Sequence, residues 1–234
     1  MTRVTNLSGE HKLVAEVPRE EFGSAWLSHV CDPDPRYARG TVSSIYYDTL
    51  CLASYEEKVN GDFLKSKVRL RWYDTPERPE SGHADAFLEL KVRAGSGRHK
   101  TRSSLRLSRE WLRDVELDDE GLRSLLDRHR ADLMATMRAD VYPVVAVTYD
   151  RCRFVCPVSG ARVSLDANIR VTKVNPALLV SVCAPRIGAV VIEIKDAQLD
   201  EVPWLGPLHR AGFASRSFSK YGECMAKIMQ GTML

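Results

Sequence analysis

VRLRWY, residues 68–73, decides how the chain is read. Side chains alternate along an extended strand, so Arg69 and Arg71 fall on one face and Val68, Leu70 and Trp72 on the other. Paired guanidiniums on one side of a strand face either water or an anion. Lys65 and Lys67 precede them on the same side, and the segment LKSKVRLRWYD reads as one long strand.

Sorting the other extended segments by parity repeats the pattern. EHKLVAEV puts Glu10, Lys12 and Glu16 on one face, and AFLELKVR sets Glu89, Lys91 and Arg93 against Leu88, Leu90 and Val92. HKTRSSLRL offers Lys100, Arg102 and Arg106, and the strand around YDRCRF offers Arg151 and Arg153 beside Tyr149. ARVSLDANIRV places Arg162, Ser164, Asp166, Asn168 and Arg170 opposite its apolar residues; GAVVIEIKD places Glu193 and Lys195 opposite Val190, Ile192 and Ile194. A single strand of this kind is ordinarily a solvated outer face. Repetition over seven strands, with arginine so frequent, points instead to oxyanion binding, for which the planar guanidinium is suited.

The rest of the chain supplies helices. One is expected from Pro18 through Phe22, Trp26 and Leu27, a long amphipathic one from Asp118 to Asp140 on the spacing of Leu122, Leu125, Leu126, Leu133 and Met137, and a C-terminal one around Ser219 to Met229. LASYEEKVNGDFL reads as an extended segment with a turn at Asn60-Gly61. About eight strands with helices in the gaps give an α+β domain on a mostly antiparallel sheet or barrel, with no seam within residues 1–234. The helices bury their apolar stripes on the apolar sides of the strands; if the sheet closes, the charged sides meet inside it. Unpaired charge in such an interior is costly, so an anion is expected there, and the carboxylates among the cations suit a divalent metal.

Composition narrows the classes. With 44% hydrophobic and 28% charged residues the chain is that of a packed globular protein, and 34 Lys and Arg against 31 Asp and Glu are too balanced to imply a nucleic-acid protein. Basic faces largely without interleaved aromatics argue the same way. Apolar runs such as Ile187 to Ile192 are too short to span a bilayer, and MTRVTNLSGEHK has no apolar signal segment, which places the chain in the cytoplasm. The six cysteines, without a CxxC pair, are expected as free thiols. The histidines stand isolated and are not expected to be catalytic.

These pieces resemble a known family. EHK at residues 10–12 resembles the ExK signature of the triphosphate tunnel metalloenzymes. SIYYDT, YEEKVNG, KVRLRWY, LELKVR, KTR, YDRCRF, RVSLDANIRV, VIEIKD and SFSKYGECM follow in the order of its polyphosphate-polymerase branch, the VTC (vacuolar transporter chaperone) catalytic domain. The resemblance implies an antiparallel eight-stranded barrel, the triphosphate tunnel, flanked by helices. It implies ATP and inorganic polyphosphate as partners and Mn²⁺ or Mg²⁺ as cofactor. It makes Lys12, Arg69, Arg71, Lys91, Arg151 and Lys220 phosphate ligands and Glu193 the metal carboxylate. Lys100 matches a further basic position, and Ser219 a hydrogen-bond donor to phosphate. Lys67, Arg102, Arg153, Arg170 and Lys195, on the same charged faces, complete the phosphate-binding candidates. Glu10 either pairs with Lys12 or joins Glu193 at the metal. Unlike the larger eukaryotic relatives, the sequence shows no N-terminal regulatory domain or membrane segment, so a stand-alone enzyme is expected. The alternatives for the same residues are a triphosphatase and a non-catalytic polyanion-binding module.

Overall fold

Alternation of the kind seen in VRLRWY is sustained through one antiparallel sheet. The computed structural model describes residues 3–6, 10–76, 82–95, 97–133, 140–179, 184–195 and 202–232. Along the chain lie β1 (Arg3–Asn6), β2 (Glu10–Glu16), α1 (Glu20–Val30), β3 (Asp32–Pro33), β4 (Arg39–Asp48), α2 (Ala53–Val59), β5 (Leu64–Asp74), β6 (His83–Ala94) and β7 (Gly97–Ser108). They are followed by α3 (Arg109–Asp114), α4 (Glu120–Arg128), α5 (Arg130–Leu133), β8 (Tyr142–Val155), β9 (Arg162–Val174), β10 (Ala189–Lys195), α6 (Leu205–Arg210), β11 (Ala214–Ser215) and α7 (Lys220–Thr232).

The strands pair in the order β1-β7-β6-β5-β4-β8-β9-β10-β2-β11, with β3 attached to β8. This corrects the expected eight-stranded barrel: among the described residues the hydrogen-bonded path has two ends and does not close. The sheet curls through side chains instead. Lys91 of β6 lies 3.6 Å from Glu10 of β2, although the two strands do not pair.

Two apolar layers cover the outer side, where the outward residues of each strand meet a helix. Leu13, Val163, Leu165 and Ile192 pack with Leu27 of α1 and Leu205 and Leu208 of α6. Ile45, Val68, Leu70, Leu88 and Leu90 pack with Leu112 of α3 and Leu122, Leu125 and Leu126 of α4. Trp72, 9% exposed, belongs to that outer wall. A third cluster lies on the opposite, inner side: Val14, Tyr46, Val147, Ile169, Val171 and Val191 surround Tyr221, Cys224, Met225 and Ile228 of α7. The interior is therefore not charged throughout. The C-terminal helix fills part of it with an apolar plug.

One residue sets the border between charged and apolar parts of β9. Asn168 has φ +53°, and the β8–β9 register slips by one between Thr148 and Asp150. Such a slip reverses every side chain beyond it. Before it Asp166 points inward; after it Ile169 and Val171 do, and Arg170 turns away, its guanidinium bonded to Asn168 O at 3.3 Å. Parity alone placed Arg170 with the phosphate-binding residues; the bulge removes it.

Other local readings change for equally local reasons. The segment after Asp48 is helical, not extended: the Asp48 carboxylate accepts the N–H groups of Thr49, Ser54 and Tyr55, and Thr49 Oγ1 accepts that of Ala53. Gly61, at φ +75°, then ends α2, where glycine takes the left-handed conformation without strain. Among the described residues the expected helix from Asp118 to Asp140 is broken into α4 and α5, because His129 leaves helical geometry and its N–H turns back to Leu126 O. Met137 lies outside the described residues, as does Cys183. The other five cysteines are free.

Candidate functional site

The inner faces of β2, β5, β6, β7, β8, β9 and β10 gather the charges into one channel, organised by four carboxylates. Glu89, 1% exposed, is the first. Arg69 donates Nε and Nη2 to its Oε2 at 2.8 and 2.6 Å, Arg102 donates the same pair to its Oε1 at 2.8 and 2.6 Å, and Lys100 Nζ lies 2.5 Å from Oε1. Burial would raise this carboxyl, but Arg69, Arg71, Lys100 and Arg102 hold it far below the usual range. Register accounts for the cluster, since Glu89 stands directly between Arg69 on β5 and Arg102 on β7.

Asp166 and Glu193 organise the second group. Asp166 is fully buried; Arg151 clamps it through Nε and Nη2 at 2.5 and 2.6 Å, and Lys220 Nζ lies 2.5 Å away. Glu193 lies 3.2 Å from Arg151 Nη2, 3.5 Å from Lys12 Nζ, 3.7 Å from Lys220 Nζ and 3.8 Å from Lys195 Nζ. Burial opposes the charged form of both carboxyls, yet both are held down, Asp166 through Arg151 and Lys220, Glu193 through Lys220, Lys12 and Arg151. The Tyr149 ring holds three cations nearby, Lys220 at 4.5 Å, Arg151 at 5.4 Å and Arg71 at 5.9 Å from its centroid.

Glu10 lies 3.2 Å from Lys12 and 3.6 Å from Lys91. Burial and Glu193 push its carboxyl up, but Lys12, Lys91 and Lys195 bring it to about 2. Among the described residues Lys67 pairs with no carboxylate; its Nζ donates to Ser219 Oγ at 2.6 Å, and the same oxygen accepts Gly222 N–H at 3.1 Å, capping α7. The hydroxyl's own hydrogen remains to donate elsewhere. Lys12 Nζ also donates to Phe218 O at 2.9 Å.

Cations outnumber carboxylates in this channel, and the surplus is visible in single residues. Burial, then Lys12, Lys58, Lys91 and Arg69, bring the Lys67 amine down to about 7. Burial likewise brings Lys91 and Lys100 to about 8. Arg71 cannot escape in that way, because a guanidinium does not give up its proton. It is 6% exposed, its Nε donates to Ser44 Oγ at 3.0 Å, and among the described residues no carboxylate pairs with it. The carboxylate whose charge it feels, Glu89, is already bonded to Arg69, Arg102 and Lys100; a buried guanidinium without an ion pair of its own is costly unless an anion supplies one.

Of the expected site residues, Lys12, Lys67, Arg69, Arg71, Lys91, Lys100, Arg102, Arg151, Lys195, Ser219, Lys220, Glu10 and Glu193 come together, and Arg170 does not. Arg153 stands at one end, donating Nη1 to Tyr37 O at 3.1 Å with its guanidinium 5.4 Å from the Tyr73 ring centroid. Tyr73 and Phe87, inward-facing at that end, escaped the sequence reading, although each continues the parity of charged neighbours, Arg71 and Glu89. At the other end a cavity of about 330 Å³ is bounded by Lys58, Lys65, Lys67, Arg93, Arg98 and Arg216. A larger cavity of about 660 Å³ lies over Thr41, Ser43, Ile45 and Thr148, on the side of β4 and β8 away from Tyr149.

No three His, Cys, Asp or Glu side chains among the described residues gather to hold an ion by themselves. Glu10 and Glu193, on paired strands and both against Lys12, supply two carboxylates. That donor set suits Mg²⁺ or Mn²⁺ bound through one or two carboxylates with substrate phosphates completing the shell. Among the described residues no helix is long and apolar enough to cross a membrane.

The VTC domain family profile matches residues 10–229. None of the curated proteins searched matches the chain. Among solved structures, that of a proposed adenylate cyclase from Vibrio parahaemolyticus is similar, at 10% identity and a TM-score of 0.49, over 94% of this chain and 98% of that one.

Proposed function

We propose, from a chain that belongs to the VTC domain family, that this protein is a polyphosphate polymerase transferring the γ-phosphate of ATP to a growing polyphosphate chain. The observation that carries the reading is Arg71, a buried guanidinium that among the described residues makes no direct ion pair, in a channel already rich in cations. A polyphosphate spreads its charge along a thread and supplies what Arg71 and the depressed lysines lack.

In this reading a terminal oxygen of the acceptor chain attacks the γ-phosphorus in line. The new O–P bond forms, the bond from the γ-phosphorus to the β,γ-bridging oxygen breaks, and ADP leaves with that oxygen. No protein nucleophile is required, because phosphoryl transfer is promoted by positioning and by stabilising charge on the transferred group. Arg71, Arg151 and Lys220, grouped about Tyr149, hold the triphosphate, with Arg151 and Lys220 at its reacting end. Arg69 and Lys100 are fixed by Glu89 so that their remaining N–H groups face the thread. Ser219 donates its hydroxyl hydrogen to a phosphate oxygen, and Lys12 bridges that region to the carboxylates. Glu193 and Glu10 would hold the divalent ion, which neutralises phosphate charge when bound.

The preference for a polymer over a simple triphosphate rests on the basic mouth. Lys65 and Arg71 are six residues apart on one strand, roughly 20 Å at strand rise, and the cations continue beyond Lys65 to Lys58, Arg93, Arg98 and Arg216. That path is longer than a triphosphate. Incubation with ATP and Mn²⁺, followed by gel electrophoresis stained for polyphosphate and an assay of free phosphate, tests the reading. Long stained product supports it. Free phosphate without polymer makes the protein a triphosphatase, and neither product makes it a binding module.

A further inference from the structure

The two ends of the channel differ in chemistry. The lysine-rich end carries flexible ammonium groups. The opposite end, eight residues further along β5 and roughly 26 Å away at strand rise, carries aromatic rings held among guanidiniums. Tyr73 and Phe87 meet edge to face, with ring centroids 6.0 Å apart at 62°. The Arg102 guanidinium sits 4.3 Å from the Phe87 centroid and the Arg153 guanidinium 5.4 Å from that of Tyr73.

Both arginines are anchored. Arg102 is tied to Glu89 by two hydrogen bonds and Arg153 to Tyr37 O by one. Tyr73 and Phe87 remain partly exposed, unlike the fully buried Tyr47 and Tyr149. An ordered, partly exposed group of two rings and two guanidinium planes is not needed to hold phosphate, which has no π-face. It is the kind of surface on which a nucleobase stacks.

Its position fits that use. Arg71 and Tyr73 are two residues apart on the same face of β5, roughly 7 Å at strand rise, and Phe87 is the direct cross-strand partner of Arg71. A phosphate on Arg71 therefore leaves about the reach of a ribose between itself and the rings. We infer that the Tyr73–Phe87 pair, flanked by Arg102 and Arg153, binds the base of the nucleoside triphosphate. The triphosphate then runs inward past Arg71, and the polymer leaves by the lysine-rich mouth. This deepens the polymerase reading and rests on it.

The experiment compares ATP with inorganic triphosphate, by calorimetry, in the wild type and in Tyr73→Leu, Phe87→Leu and Tyr73→Phe. Loss of a stacking partner is expected to weaken ATP binding roughly 5- to 100-fold in Tyr73→Leu and in Phe87→Leu. Inorganic triphosphate should bind all variants within about twofold of the wild type, which also shows that the channel is folded. Tyr73→Phe, which keeps the ring, should bind ATP as the wild type does. Equal weakening of both ligands, or ATP affinity unchanged in both leucine variants, overturns the assignment. A wild type that binds neither ligand overturns the triphosphate reading itself, an outcome distinct from the other two.

Discussion

The charged and apolar halves of the inner face are built from the same strands, yet they are stabilised in opposite ways. In the apolar half, α7 buries Met225 and Ile228 against Val14, Val147 and Val191, and each contact favours the folded state. In the charged half, Glu89, Asp166, Glu193 and Glu10 hold an excess of cations that the fold alone does not neutralise. On the proposed reading one half is finished without a ligand and the other is not. Apolar and charged inward positions thus separate along a single strand, as on β9, where Asp166 and Val171 both point inward on either side of Asn168.

The largest effect should come from removing an organising carboxylate. Glu89→Ala leaves Arg69, Arg102 and Lys100 facing one another without a counter-charge, and loss of about 3–5 kcal/mol is expected by chemical denaturation, as when one partner of a buried pair is removed. Added triphosphate should restore part of that loss. A variant as stable as the wild type would mean that the cations need no organiser.

Met225→Ala, in the apolar half, should cost about 2–4 kcal/mol through the cavity it leaves while triphosphate affinity of the folded protein stays within about twofold. Substantial loss of affinity would show that the two halves are not separable. Arg71→Leu sharpens the contrast from the other side. It removes a buried charge that makes no direct ion pair among the described residues, so the melting temperature should hold or rise, while turnover falls about 100-fold or more, about 2.7 kcal/mol of transition-state stabilisation.

The smallest effect is in pH. Lys67, near 7 when folded against an ordinary 10.5, binds fewer protons folded than unfolded between those values, so the ligand-free protein gains stability as pH rises from about 7 toward 10. A polyanion needs that amine charged. Affinity should therefore fall as pH rises through 7 to 8, and binding at pH 8 should take up protons, measurable by calorimetry in buffers of different ionisation enthalpy. Glu10, held near 2, contributes stability above 4.5 that is lost as pH falls from there toward 2.

Much of this was legible in residue order. Parity placed Arg69 and Arg71 on the inner face and Trp72 on the outer, and it did the same for Glu193 against Ile192. It failed where the backbone departs from regular extension. At Asn168 one inserted residue carries Arg170 out of the channel, and no apolar pattern marks that slip. At Asp48 a carboxylate collects three N–H groups and starts a helix where the sequence suggested an extended segment. Closure was not legible either. Whether strands complete a ring depends on distances between β1 and β11, which no local pattern encodes. The aromatic end was missed because Tyr73 follows Trp72, and only one ring of that pair belongs to the core.

On the proposed reading the charged half of the channel is incomplete without a polyphosphate, and Arg71 marks the gap. Calorimetric titration of inorganic triphosphate into the wild type and Arg71→Leu, with melting temperatures of both, tests it most directly. Saturable binding by the wild type, loss of it in a variant that melts at the same temperature or higher, is the predicted result. Equal affinity in the two proteins, or a wild type that binds no triphosphate at all, would contradict it.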